Sequence, residues 1–208
     1  MKQVIIALSI IIVITIIIIA YFYLRKKRIH NVIQDSVLEL TGDVSKKYPS
    51  NLLPVSSSGN KYTLAFCIYS NNLGGNSEWK KKYDLPKGII SHYGSPNVYM
   101  LSKVNTLRIS LAYRDDLSNK AYYNFDLKDF KHQRWEHVAV VVDNRKCHVF
   151  LNGEIIKSIY LPNVPWISQN SFYIGQSNNN FNGKIRDVEY FNDALTIKEI
   201  EKLYLSRK

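Results

Sequence analysis

Hydrolytic chemistry needs titratable groups in pairs, and this chain supplies few of them. Cleaving a glycosidic bond takes two carboxylates facing each other across it, roughly 5 Å apart in a retaining site. The close acidic pairs ahead of residues 134–153 are Asp115-Asp116 and Asp126/Asp129, and both read as turn residues. His92, His132, His137 and His148 are scattered. No Ser or Cys stands where one of them could activate it as a nucleophile. His137 and His148 could face each other across a turn at Asp143-Asn144, as cross-strand surface neighbours rather than a metal pair. Cys67 and Cys147 form neither a Cys-x-x-Cys pair nor a zinc spacing. Both lie in β-type runs, so buried free thiols are expected. A disulfide stays open as the alternative, because spacing alone does not tell whether two Cα atoms come close enough. No catalytic residue is assigned, and the chain is expected not to be an enzyme.

Binding chemistry is better represented. Exposed aromatic rings with amides nearby make stacking platforms for sugars, and Trp79, Tyr83, Tyr93, Tyr99 and Tyr113 are the candidates on or near the middle of the chain. Trp135 and Trp166 are assigned to core or sheet-edge packing. Oxygen donors gather at Asn178-Asn179-Asn180, Asp187, Asn192 and Asp193, which makes Asn180, Asp187 and Asp193 the candidate metal ligands. A calcium ion takes about six to eight oxygens, usually with carboxylates among them. Asn-rich loops are mostly turn formers, and a net charge of +11 makes a poor host for a divalent cation. No cofactor is therefore expected, with calcium as the lesser alternative. Nucleic-acid binding would need clustered Lys and Arg with interleaved aromatics, or a known module, and neither is present.

The elements that must position these residues are short β runs separated by turns. Tyr62 to Tyr69 alternates, with Leu64, Phe66 and Ile68 on one face; Leu107, Ile109, Leu111 and Tyr113 share a face in the same way. Further strands are expected at Gly88 to Tyr93, Asn97 to Leu101, Tyr122 to Leu127, Cys147 to Leu151, Glu154 to Leu161, Phe172 to Gly175 and Ile185 to Phe191. His137 to Val142 is apolar on both faces and is expected to be covered on both sides. Asn152-Gly153 is a strong hairpin signal, because both central residues of a type I′ turn need positive φ. Many strands with a turn every eight to twelve residues or so indicate a sandwich or barrel. Thr196 to Glu199 forms a capping box that opens a C-terminal helix, with Ile197, Ile200, Leu203 and Tyr204 on its packing face.

The N-terminus is a different object. Val4 to Leu24 is an almost unbroken apolar run, and about 20 such residues cross a ~30 Å hydrocarbon core as a helix. The run is longer than the roughly 7–15 apolar residues of a cleaved signal peptide, so a retained single-pass anchor is expected at residues 1–28. Tyr21 and Tyr23 fall at one interface, with Arg25, Lys26, Lys27 and Arg28 just beyond. Those cations outnumber Lys2 and the terminal amine, which places the rest of the chain on the cytosolic side. Residues 29–51 are expected to be a juxtamembrane linker, with a short amphipathic helix through Val32, Ile33, Val37, Leu38 and Leu40, and residues 52–208 the folded domain.

Several of these pieces together resemble one family. They are Arg134-Trp135 through Val138-Ala139-Val140, Val149-Phe150-Leu151-Asn152-Gly153, Ile174-Gly175, Phe181-Asn182-Gly183-Lys184-Ile185-Arg186-Asp187-Val188, Tyr190-Phe191-Asn192 and Ala194-Leu195. In this order they resemble the laminin G-like, or concanavalin A-like lectin and glucanase, domain over about Leu52 to Tyr204. Tyr62 to Phe66 looks like that family's early strand, with Cys67 where an aromatic is usual. The resemblance implies an all-β, two-sheet antiparallel jelly-roll sandwich with one concave sheet. Calcium is a common companion of such domains. The family's glucanases carry a Glu-x-Asp-x-Glu run, which this chain lacks. The layout of short anchor plus one such domain, in an Ile/Lys/Asn-rich chain, resembles proteins encoded by large DNA viruses. The expectation is a single-pass, non-catalytic interaction or structural module, a virion membrane being one setting. Its partners would be the bilayer and a capsid or membrane protein. The alternative is a carbohydrate-binding adhesin on a cell or virion surface, and a glycoside hydrolase is the remote one.

Overall fold

The computed structural model describes residues 13–16, 30–41, 44–54, 56, 59–71, 86–101, 105–176 and 181–208. Thirteen strands form two antiparallel sheets. The seven-stranded sheet holds β1 (His30–Gln34), β13 (Gly183–Phe191), β4 (Lys61–Ser70), β9 (Trp135–Asp143), β10 (Lys146–Leu151) and β11 (Glu154–Tyr160) side by side, with β2 (Leu38–Glu39) also on β13. The six-stranded sheet runs β3 (Ser45–Tyr48), β12 (Phe172–Gly175), β5 (Lys87–Ser91), β6 (Asn97–Leu101), β7 (Thr106–Arg114) and β8 (Lys120–Leu127). One helix, α1 (Ile197–Arg207), closes the chain.

The main core lies between the sheets. Alternation puts Leu64, Phe66 and Ile68 of β4 and Val138, Val140 and Val142 of β9 against Ile109 and Leu111 of β7 and Phe125 of β8, as a period of two requires. The expected double coverage of β9 is present. Its other face, Ala139 and Val141, joins Ala65, Phe150, Phe191, Leu195 and Ile200 in a second cluster beneath α1. The Thr196 hydroxyl accepts from the Glu199 amide and the Glu199 carboxylate accepts from the Thr196 amide, so the capping box forms as its sequence implies. Ile200 is fully buried, but Ile197 stays largely exposed because it sits in the first turn, beyond the sheet it was expected to cover.

The juxtamembrane helix does not form. Val32 and Ile33 belong to β1, which pairs with β13, and Leu38 pairs with Ile185. β-branched residues beside an open sheet edge gain ladder hydrogen bonds that a short isolated helix cannot match. The folded unit therefore draws on residues from His30 onward. Ser45–Tyr48 is the edge strand of the other sheet, followed by a 3-10 turn at Ser50–Leu52. Of the apolar run, only Val13–Ile16 falls among the described residues, and those four are helical and exposed. Among the described residues no helix is long and apolar enough to cross a membrane. Tyr21, Tyr23, Arg25, Lys26, Lys27 and Arg28 lie outside the described residues.

The β10–β11 connection is the type of turn its dipeptide calls for. Asn152 has φ 53° and Gly153 φ 83°. Asn152 does more than turn the chain: its Oδ1 accepts from the His137 amide at 2.9 Å, and its side-chain amide donates to the fully buried Glu136. A Cβ on Gly153 would lie 3.0 Å from Tyr204 Cδ1. Gly153→Val combines that contact with a β-branched residue in the left-handed region, and we expect a loss of about 1–3 kcal/mol. It would be read as a lower urea midpoint at unchanged slope.

Candidate functional site

The core-averted face of the six-stranded sheet is the polar one. Lys47, Tyr173, Ser91, Asn97, Ser110 and Asn124 lie side by side across all six strands. Gly88, Tyr99, Arg108 and Asp126 form the next row. Ala112 pairs with Tyr122, and Arg114 with Lys120, towards one end.

At that end the rows meet the turn between β5 and β6. Asn97 Oδ1 accepts from the backbone amides of His92 (3.0 Å) and Gly94 (2.9 Å) and so shapes the turn from within. The His92 imidazole donates through Nδ1 to the Ser95 carbonyl at 2.7 Å, and burial lowers its pKa. The Ser95–Pro96 peptide is cis, and Ser95 Oγ donates to the Trp166 carbonyl while accepting from the Ser168 amide. The result holds Tyr93 at φ 52° with its ring exposed. Bulky residues rarely adopt that conformation, and it persists only where its surroundings over-determine it. Gly94 follows at φ 90°, where a Cβ would come within 2.7 Å of the Ala112 Cβ.

Three rings surround one ammonium. Lys120 Nζ lies 3.5 Å from the centroid of Tyr93 and 5.4 Å from those of Tyr122 and Trp166. It also donates to the Tyr93 carbonyl. The Arg114 guanidinium stacks 4.9 Å from the Trp166 ring. Cation–π contacts of this kind are worth roughly 0.5–2 kcal/mol each, depending on exposure, and they fix the ring orientations before any ligand arrives. Tyr99 lies inboard, its hydroxyl in contact with the Asn97 side chain and its pKa raised mainly by burial. Tyr93, Tyr99, Tyr122 and Trp166 thus line one surface together with the amides of Asn97 and Asn124.

The carboxylate in the rows of that sheet face is Asp126. It is a strand residue, where a turn residue was expected, and Arg108 holds it through two hydrogen bonds of 2.7 Å. The Arg108 bonds lower the Asp126 pKa, which keeps the group ionised and unsuited to proton donation.

Of the expected site residues, Tyr93 and Tyr99 are brought together here, whereas Trp79, Tyr83 and Asn180 fall outside the described residues. Tyr113 is a correction: it points to the core with Leu111 and Ile109 and is packed against the main cluster. Tyr122, Lys120 and Asn124 were missed, although their alternation with Tyr123 and Phe125 marks them as the solvent side of β8. Trp166, expected in the core or at a sheet edge, stands beside Lys120 at this corner.

Two of the metal candidates, Asp187 and Asp193, lie among the described residues. Asp187 is buried and engaged by Arg186 (2.6 Å) and Arg207 (3.8 Å), which leaves its charge balanced without a cation. Arg207 also reaches Glu189 at 2.5 Å, and Arg186 donates to the Arg207 carbonyl, tying the end of α1 to β13. Asp193 Oδ1 caps the Ala194 amide. Among the described residues no group of three or more His, Cys, Asp or Glu side chains could hold a metal ion. His137 and His148 do not face each other: His148 pairs with Val141 and meets Ser158, and His137 pairs with Cys67. Both cysteines are free and buried, and burial pushes Cys67 to about 11 and Cys147 to about 12.

A two-sheet antiparallel sandwich with one open, polar sheet face is the architecture of the lectin-type sandwiches. Residues 45–201 match the family described as the concanavalin A-like lectin/glucanases superfamily, and the chain belongs to that family. No curated protein matches it. Solved structures that share the fold include the binding domain of botulinum neurotoxin serotype G, with a TM-score of 0.60 and 16% identity over 86% of this chain and 46% of that one. The binding domain of Paraclostridial Mosquitocidal Protein 1 has a TM-score of 0.56 and 15% identity over 83% and 48%. Botulinum neurotoxin type C, which depends on interaction with two ganglioside molecules to enter cells, has a TM-score of 0.57 and 16% identity over 87% and 47%. This chain spans about half the length of these structures.

His137, which lies under α1, gives the unit a pH dependence. Burial, and then the Arg207 guanidinium, push its imidazole down to about 4 from 6.5. Between those values the unfolded chain binds a proton that the folded chain does not, so stability falls as pH drops through the window. The contribution is complete above about pH 6.5, and about 3 kcal/mol of it is gone near pH 4. His92 adds to the slope in the same direction. His137→Gln should flatten the stability–pH curve in urea unfolding, and an unchanged slope would refute this assignment.

Proposed function

We propose that the protein is a non-catalytic, lectin-like binding module held at a membrane by its N-terminal apolar run. In this reading it takes a carbohydrate on the outer face of the six-stranded sheet. The observation that carries the proposal is the cluster of Tyr93, Tyr122 and Trp166 around Lys120. Exposed rings of fixed orientation offer the apolar faces of a sugar something to stack on. Asn124 and Lys120 supply amide and ammonium groups for its hydroxyls. The arginine-held Asp126 supports binding without cleavage, since a retaining or inverting site needs two carboxylates.

A protein partner, such as a capsid or membrane protein, is the second reading. One observation favours it: the four cations Arg25 to Arg28 follow the apolar run and would set the sandwich on the cytosolic side. The Ile/Lys/Asn-rich composition supports a setting in the membrane of a large DNA virus particle.

A glycan array probed with the full chain in detergent tests the first reading. Tyr93→Ala and Tyr122→Ala should each weaken binding about tenfold, or about 1.4 kcal/mol per ring. A blank array, with the sandwich degraded by protease added outside right-side-out vesicles' broken counterparts only, would favour the protein partner. Since no metal is assigned to the site, EDTA and added calcium should leave both the binding and the melting temperature unchanged; a calcium-dependent rise in either would overturn that part.

A further inference from the structure

His30, the first residue of β1, marks one end of the sandwich. His30 pairs with Phe191, Phe191 with Thr63, Thr63 with Val141, Val141 with His148 and His148 with Ser158. That row marks one end of the seven-stranded sheet, and Tyr160 lies beyond it. From there the chain crosses to the other sheet. The Leu161 amide donates to the Arg145 carbonyl, the Arg114 amide to the Val164 carbonyl, and the Trp166 amide to the Ala112 carbonyl. Tyr93 and the β7–β8 turn with Leu117 are therefore at the same end as His30, and so is Ile197, which follows β13.

Exposed apolar side chains collect at this end. Leu117, on the turn tip, is 82% exposed, Tyr160 71% and Ile197 57%. Leu52 and Val164 are exposed beside them. Lys61, Arg114, Lys120, Arg145 and Lys146 are interspersed, together with Asp115, Asp116 and Asp143. Leucine and isoleucine tips with tyrosines and basic residues behind them are the composition that settles at a bilayer interface.

The tether limits which surface can reach the membrane. Leu24 and His30 are separated by residues 25–29, a span of roughly 20 Å at full extension. The ten residues of β4 alone run about 33 Å. The tether is shorter than the sandwich is long, so the end at His30 is the one it holds near the headgroups.

We propose that this end of the sandwich docks on the same bilayer that holds the N-terminal run, with Leu117 and Tyr160 in the interface. The proposal rests on the anchor reading above. Anionic headgroups would add to the attraction of the basic side chains.

The test uses the full chain reconstituted in phosphatidylcholine–phosphatidylserine vesicles that carry a nitroxide-labelled lipid. A polarity-sensitive fluorophore is placed in turn through Leu117→Cys, Tyr160→Cys, Val37→Cys and Leu205→Cys. The native thiols are buried, and all four positions are exposed, so labelling should leave the fold intact. Circular dichroism of each labelled protein checks that. The expected result is a blue shift and quenching at 117 and 160 and neither at 37 or 205. Absence of quenching at 117 and 160, or equal quenching at all four, would overturn the docking. Carbonate extraction separates the two readings. A protein retained in the membrane but unquenched at 117 and 160 keeps its anchor and loses the docked end. A protein released by carbonate loses both.

Discussion

Everything in the sandwich is referred to β9, a strand covered on both sides. Val138, Val140 and Val142 face the main core, while Ala139 and Val141 face the cluster under α1. The side-chain sizes follow from what covers each face. A whole sheet stands about 10 Å away across the core and leaves room for valine on β9 and for Phe66 and Ile68 on β4. On the other side Ala139 pairs with Ala65, and Phe150 and Ile200 fill the space above them. A one-residue slip of β9 would exchange the two sets, so register and helix docking are fixed by the same alternation.

Only one of the two sheets is covered by a helix on its outer side among the described residues. The seven-stranded sheet has α1 on its outer side, tied by Arg207 to Glu189 and Asp187. The six-stranded sheet has no helix of the described residues on its outer side, and its side chains there are polar or aromatic. The proposed site lies on that face, where the β5–β6 turn and the chain from Leu161 to Ser168 both meet the sheet. Buried hydrogen bonds from Asn97 and Ser95 make this corner rigid, which suits a site that must present rings without ordering them on binding.

Local patterns were legible in the sequence where one interaction dominates. The double-sided apolarity of His137 to Val142, the Asn152-Gly153 turn and the Thr196/Glu199 box each follow from backbone or burial rules within a few residues. β1 and β2 were not legible, because Val32, Ile33, Leu38 and Leu40 fit either a helical or a strand period. Only the partner strand β13, some 150 residues away in the chain, decides between them. Tyr113 shows a different failure. Its parity with Leu107, Ile109 and Leu111 already put it on the core face, and its ring could not serve both places. Alternation puts Lys120 on the solvent side of β8, but its place among three rings was not legible, because those rings come from separate elements.

In the proposed carbohydrate reading, that cation also limits what the site would accept. The π faces of Tyr93, Tyr122 and Trp166 that look inward are already used by Lys120, and one face of Trp166 by Arg114. A cationic ligand would have to displace an ammonium that is tethered by its own chain and hydrogen-bonded to the Tyr93 carbonyl, so it competes at a disadvantage of effective concentration. A neutral or acidic ligand meets no such competitor. It can stack on the outward faces of Tyr93 and Tyr122 and take a hydrogen bond from the same ammonium. In the proposed reading the arrangement would select by charge before shape, through the side chain that also contacts all three rings.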